Sequence, residues 1–144
     1  MHKHNSSELT EDEILNLELL EGEKSSSYLV LLAFAVLIIS ANREKANILY
    51  KNTSTDTKYS PFQNPSQLVF IASALDLLAN IMLGKIAFTR LLQRERMFIS
   101  GEDKRSILPN VNISRGFLLV ILGDALITLG TFQRANEEAE NTII

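Results

Sequence analysis

Apolar residues in this chain gather in three blocks, Tyr28 to Ala41, Leu68 to Phe88 and Gly116 to Phe132, parted by charged or turn-forming stretches. Blocks of this length and continuity predict helices that cross a bilayer. At 1.5 Å per residue the 21 residues of the second block reach about 31 Å, enough for a hydrocarbon core of about 30 Å. The 14 residues of the first reach only about 21 Å; Ser25 to Ser27 and Asn42 lengthen that span to 18 residues, about 27 Å. The expected spans are therefore about 25–42, 67–89 and 116–133.

The flanking segments carry their own signals. Residues 1–24 read as an acidic tail that holds one short amphipathic helix. Thr10 is an N-cap, Glu13 completes a capping box, and Leu9 with Ile14 forms a hydrophobic staple. Glu11, Asp12 and Glu13 suit the positive end of the helix dipole, and Gly22 is the expected stop. Ile14, Leu15, Leu17, Leu19 and Leu20 give this helix a broad apolar side. Arg43 to Tyr50 prolongs the first span beyond the bilayer, and Asn52 to Thr57, Tyr59-Ser60-Pro61 and Asn64-Pro65 break helices. The second helix is expected from about Ser66 to Phe98, with a stop at Ser100-Gly101. A loop over 101–114, broken at Pro109, then leads to a third helix from near Ser114 to about Glu140, and 141–144 form a tail.

Two of the blocks carry one central acid each, Asp76 and Asp124. At about 100° per residue, Ser73, Asn80, Gly84, Ala72, Ala79 and Ala87 share the arc of Asp76, while Leu75, Leu78, Ile81 and Ile86 lie elsewhere. Lys85 falls opposite Asp76 and reaches the interface by snorkelling. In the third helix Gly116, Gly123 and Gly130 recur every seven residues, and Asp124, Thr128 and Thr131 occupy the neighbouring arc. Small residues permit close helix approach and hydroxyls bond across it, so the two polar-small faces are expected to meet, with leucines toward lipid and Asp76 and Asp124 at similar depth. Insertion tolerates the cost: ten Leu, Ile, Val and Phe residues in the third block contribute about −3 to −6 kcal/mol against roughly +3 for a central Asp.

Composition changes this picture little. The averages of 46% hydrophobic and 22% charged conceal segregation: seven of 17 acids fall within Glu8 to Glu23, and six of 14 basic residues between Arg90 and Arg115. That basic group (Arg90, Arg94, Arg96, Lys104, Arg105, Arg115) makes its loop the expected cytoplasmic one, together with the N-terminus; 8 basic residues then lie inside and 5 outside, with Lys85 at the interface. The same arginines suit anionic headgroups or a cytoplasmic partner. A net charge of −3 gives no footing for nucleic acid, and the absence of Cys excludes disulfides and Cys-based metal sites.

No glycine-rich phosphate loop, zinc-ligand spacing or nucleophile elbow is found, and His2 and His4 lie in the N-terminal tail. The sequence therefore predicts no catalysis, no cofactor, no metal and no small-molecule substrate. Asn5-Ser6-Ser7, Asn52-Thr53-Ser54 and Asn112-Ile113-Ser114 match the glycosylation sequon, which has meaning only in a secretory setting. The expectation is an all-α, three-helix polytopic membrane bundle acting as an accessory, regulatory or assembly subunit. Its partners are the lipid bilayer and a membrane protein or further copies of itself. Two alternatives stand: an oligomeric ion- or proton-conducting, holin-like pore lined by Asp76 and Asp124, whose carboxylates share a proton, and a soluble helical interaction module with its leucines inward.

Overall fold

In a computed structural model that describes residues 9–50 and 64–141, the chain forms three antiparallel helices: α1 (Glu11–Tyr50), α2 (Pro65–Ile99) and α3 (Leu108–Asn141). They contain 40, 35 and 34 residues, so each is about 50–60 Å long and overshoots a bilayer. Each holds a stretch long and apolar enough to cross a membrane. This is the expected all-α three-helix bundle. Residues 1–8, 51–63 and 142–144, and with them His2, His4, two of the sequons and the turn signals before Asn64, lie outside the described residues.

The termini of the helices follow local chemistry. Thr10 and Glu13 form the capping box, with the Thr10 N–H donating to Glu13 Oε2 at 2.8 Å and the Glu13 N–H to Thr10 Oγ1 at 3.3 Å. The Thr10 backbone N–H and hydroxyl hold the Glu13 carboxyl below its usual range. The Asn64 side chain accepts from the Ser66 N–H at 2.9 Å, with Pro65 at the first position of α2, where its missing N–H costs nothing. Gly101, at φ 78°, turns the chain after α2 as expected of Ser100-Gly101.

Two expectations are corrected. Gly22 does not end a short N-terminal helix; the acidic segment runs unbroken into the first span as α1. The reason is packing: a Cβ at Gly22 would lie 3.0 Å from Ile86 Cδ1, so the glycine serves close approach to α2 rather than a left-handed turn. The third helix begins at Leu108, not near Ser114. Pro109 is tolerated in a first turn, and the Ser106 hydroxyl accepts from the Leu108 N–H at 3.2 Å.

α2 is the middle helix. α1 and α3 both pack along it and barely touch each other. On α1 the buried line is Leu19, Ser26, Ala33 and Ser40, one residue every seven; on α2 the buried residues include Ala72, Ala79 and Ile86 at the same spacing. The Ser26 hydroxyl returns to the Gly22 carbonyl at 2.8 Å, and the Ser40 hydroxyl donates to the Pro65 carbonyl at 2.8 Å, tying α1 to the start of α2. No sequence reading of α1 identified this seam.

The interior is thus made of alanine, serine and glycine, and the large apolar side chains point away from it. The apolar stretches of the three helices are only 17%, 22% and 6% buried, and Leu31, Ile38, Leu119, Leu122 and Leu126 are all more than 60% exposed. A water-soluble bundle places such side chains inside. Three helices able to cross a membrane, with apolar surface outward, form the architecture of a small multi-pass membrane protein.

Because Ala79 is wholly buried against a neighbouring helix, Ala79→Leu is expected to lower stability by about 1–3 kcal/mol through overpacking. Leu126→Ala, on the outer face, is expected to leave stability within about 0.5 kcal/mol. Equilibrium unfolding in mixed micelles distinguishes the two.

Candidate functional site

The polar residues of α2 and α3 meet as their spacing predicts. With α2 running against α3, Asn80 Nδ2 donates to Asp124 Oδ2 at 2.8 Å, and the Ser73 and Thr131 hydroxyls lie 2.8 Å apart. The Thr128 hydroxyl donates to the Ser73 carbonyl at 3.2 Å, and the Ser114 hydroxyl to the Ala87 carbonyl at 3.3 Å. Gly84 is buried here, and a Cβ on it would stand 2.9 Å from Ile121 Cδ1. The rings of Phe70 and Phe132 pack tilted, with centroids 5.3 Å apart, toward one end of the seam. Ser114 is buried in this contact and lies within α3, so the sequon at Asn112 is helical with its hydroxyl engaged.

The glycines of α3 behave differently. A Cβ at Gly116, Gly123 or Gly130 would meet nothing within 4 Å. The expected use of this line for contact with α2 is therefore corrected: by helical rotation it lies about 100° from Asp124, and the seam is filled instead by Phe117, Ile121, Thr128 and Thr131.

Asp76 sits between the two seams. Viewed down α2, with Asp76 at 0°, Ala72, Ala79 and Ile86 fall at about −40° to −80°, and Ser73, Asn80 and Gly84 at about 40° to 80°. One set backs α1, the other α3. The wedge between them opens as a cleft of about 210 Å³ whose walls are Ala33, Phe34 and Leu37 of α1 and Asp124 and Ile127 of α3, with Asp76 on its floor. Both aspartates are half-buried and face this one space. Counting residues places both near the middle of the apolar stretches of their helices.

The N-terminal end of α1, the C-terminal end of α2 and the start of α3 lie on one side of the bundle. Here Arg90 pairs with Glu23 at 2.8 Å, and Asp103 binds both Arg94 and Arg105. The Arg105 guanidinium and backbone N–H hold the Asp103 carboxyl well below the usual carboxylate range. Three of the seven predicted headgroup residues are thus engaged by acids of this chain, while Lys85, Arg96, Lys104 and Arg115 are exposed. At the opposite end Arg134 bonds Glu138 at 3.0 Å and approaches Glu44 of α1 at 4.0 Å.

The chain matches no protein-family model, no curated protein and no solved structure.

Removing the Asn80 amide leaves Asp124 without that donor in an apolar setting, so Asn80→Ala is expected to cost about 0.6–1.7 kcal/mol of helix association. Asn80→Gln, which keeps the donor, is expected to recover part of it in the same micellar unfolding assay. For Asp103 the sign follows from its depressed folded pKa: its contribution is complete above the unfolded value of about 3.9 and declines as pH falls below it. Hydrogen exchange should show the 100–107 turn losing protection on acidification through that range, and Asp103→Asn should abolish the pH dependence.

Proposed function

We propose that this protein is a small integral membrane protein that works as an accessory, regulatory or assembly subunit through contacts between helices in the bilayer. The observation that carries this reading is the incomplete bundle: α1 and α3 flank α2 without closing on each other, leaving a cleft with two carboxylates at mid-membrane depth. An ionisable group at that depth is costly and marks a place where something is met. The reading is non-catalytic, and the fate of the polar groups supports it: the hydroxyls of Ser26, Ser40, Ser73, Ser114, Thr128 and Thr131 are taken up by hydrogen bonds within and between helices. The proposed orientation places the N-terminus and the 90–115 loop in the cytoplasm, supported by the basic cluster on that side.

The conducting pore remains the competing reading, favoured by the joint exposure of Asp76 and Asp124 to one cleft. The two separate by experiment. After carbonate washing and ultracentrifugation the protein should stay with the pellet; recovery in the supernatant would overturn the membrane placement. In reconstituted vesicles the wild type and the Asp76→Asn, Asp124→Asn double variant should both show background proton and cation flux. A flux present in the wild type and lost in the double variant would overturn the assembly reading in favour of the pore.

A further inference from the structure

Resting on the assembly reading, the geometry points to a specific occupant of the α1–α3 cleft: a membrane-spanning helix of another protein that carries one Lys or Arg near its midpoint. The spans of this chain, 25–42, 67–89 and 116–133, contain two acids near their midpoints, Asp76 and Asp124, and one basic residue, Lys85, near the end of the second. Lys85 lies about two turns from Asp76 along α2, on the opposite face, and is exposed. No basic residue of the spans therefore lies at the depth of the pair, and a fixed countercharge there comes from a partner.

The two carboxylates are not equally provided for. Asp124 accepts from Asn80, and Ser73, Thr128 and Thr131 are bonded among themselves along the α2–α3 seam. Asp76 accepts no hydrogen bond from the described residues and stands on the cleft floor between Phe34, Leu37 and Ile127. Those apolar walls suit the body of a helix, and the floor suits a cationic head, because a half-buried carboxylate facing lipid is better met by a fixed base than by hydrocarbon. The glycine line of α3 lies on the flank of the same opening. A Cβ at Gly116, Gly123 or Gly130 meets nothing within 4 Å among the described residues, so a neighbouring backbone has room to approach there.

Charge also selects against a second copy. A homotypic contact through this cleft brings four mid-membrane carboxylates together and supplies no base at their depth, since Lys85, the one basic residue of the spans, lies about 14 Å nearer the end of α2. Like charges at close quarters in low dielectric oppose such a contact.

The chain has no cysteine, so single-cysteine cross-linking reports the site cleanly. The probe is a synthetic Leu/Ala membrane-spanning peptide with one central Lys and one Cys, reconstituted with the protein in phosphatidylcholine vesicles. A sister peptide has Leu in place of the Lys. Phe34→Cys marks the cleft wall and Leu122→Cys the outer face of α3; both positions are exposed. The Lys peptide should cross-link to Phe34→Cys about tenfold or more above the Leu peptide, the low end of the coupling measured for close charge pairs. At Leu122→Cys the two peptides should not differ. Adding Asp76→Asn should remove most of the preference, and Asp124→Asn less, because Asp124 already has a donor in Asn80.

Equal capture of both peptides at Phe34→Cys would overturn the basic partner while leaving helix-mediated assembly intact. So would a Lys preference that survives in the double Asn variant. Efficient disulfide dimerisation of Phe34→Cys without peptide would assign the cleft to a second copy and overturn the proposal. The comparison of peptides on an otherwise unaltered cleft needs no Asp variant, so a folding defect in those variants leaves the main result readable.

Discussion

Close approach of helix backbones along α2 is the constraint on which the rest of this structure depends. A bilayer gives no hydrophobic reward for burying leucine, because lipid tails are as apolar as the protein interior. What remains to hold helices together is van der Waals contact between small residues and hydrogen bonds across the seam. Ala72 and Ala79 are wholly buried, a methyl group at Gly22 or Gly84 would have to displace the tip of Ile86 or Ile121, and Ser40 and Ser114 donate to carbonyls of α2. Bulky residues at these sites separate the helices, and the hydroxyl bonds across the seams are then too long to form.

Placing α2 in the middle has a second effect. A helix has a limited circumference, and two neighbours that each need a strip of small residues leave a sector between them. In α2 that sector holds Asp76. The acid thus occupies the sector left between Ser73, Asn80 and Gly84, which serve α3, and Ala72, Ala79 and Ile86, which serve α1. Asp124 reaches the same sector from α3 while held by Asn80.

Much of this was legible in the sequence. The capping box at Thr10, the stop at Ser100-Gly101, the three spans and the meeting of Ser73 and Asn80 with Asp124 and Thr131 all follow from spacing and residue type. Other features were not legible, each for a physical reason. Gly22 carries the same letter whether it ends a helix or admits a neighbour, and only the position of Ile86 decides. Pro109 breaks a helix from inside but begins one at its edge. The seven-residue line of Gly116, Gly123 and Gly130 announces a contact surface without naming its partner, and α2 turned out to use the adjacent arc. The line Leu19, Ser26, Ala33, Ser40 was available at the same spacing, yet serines beside an acidic segment read first as a span boundary.

The continuity of α1 has a mechanical meaning. With no hinge at Gly22, the shaft that crosses the bilayer and its acidic prow, Glu11 to Glu21, are one rod, lashed near the lipid surface by Glu23 and Arg90. A tilt of about 10° anywhere along that rod swings the prow by about 3 Å over its roughly 18 Å of overhang. A displacement of α1 within the lipid would therefore be carried along one continuous helix to its acidic end, against the restraint of the Glu23–Arg90 pair.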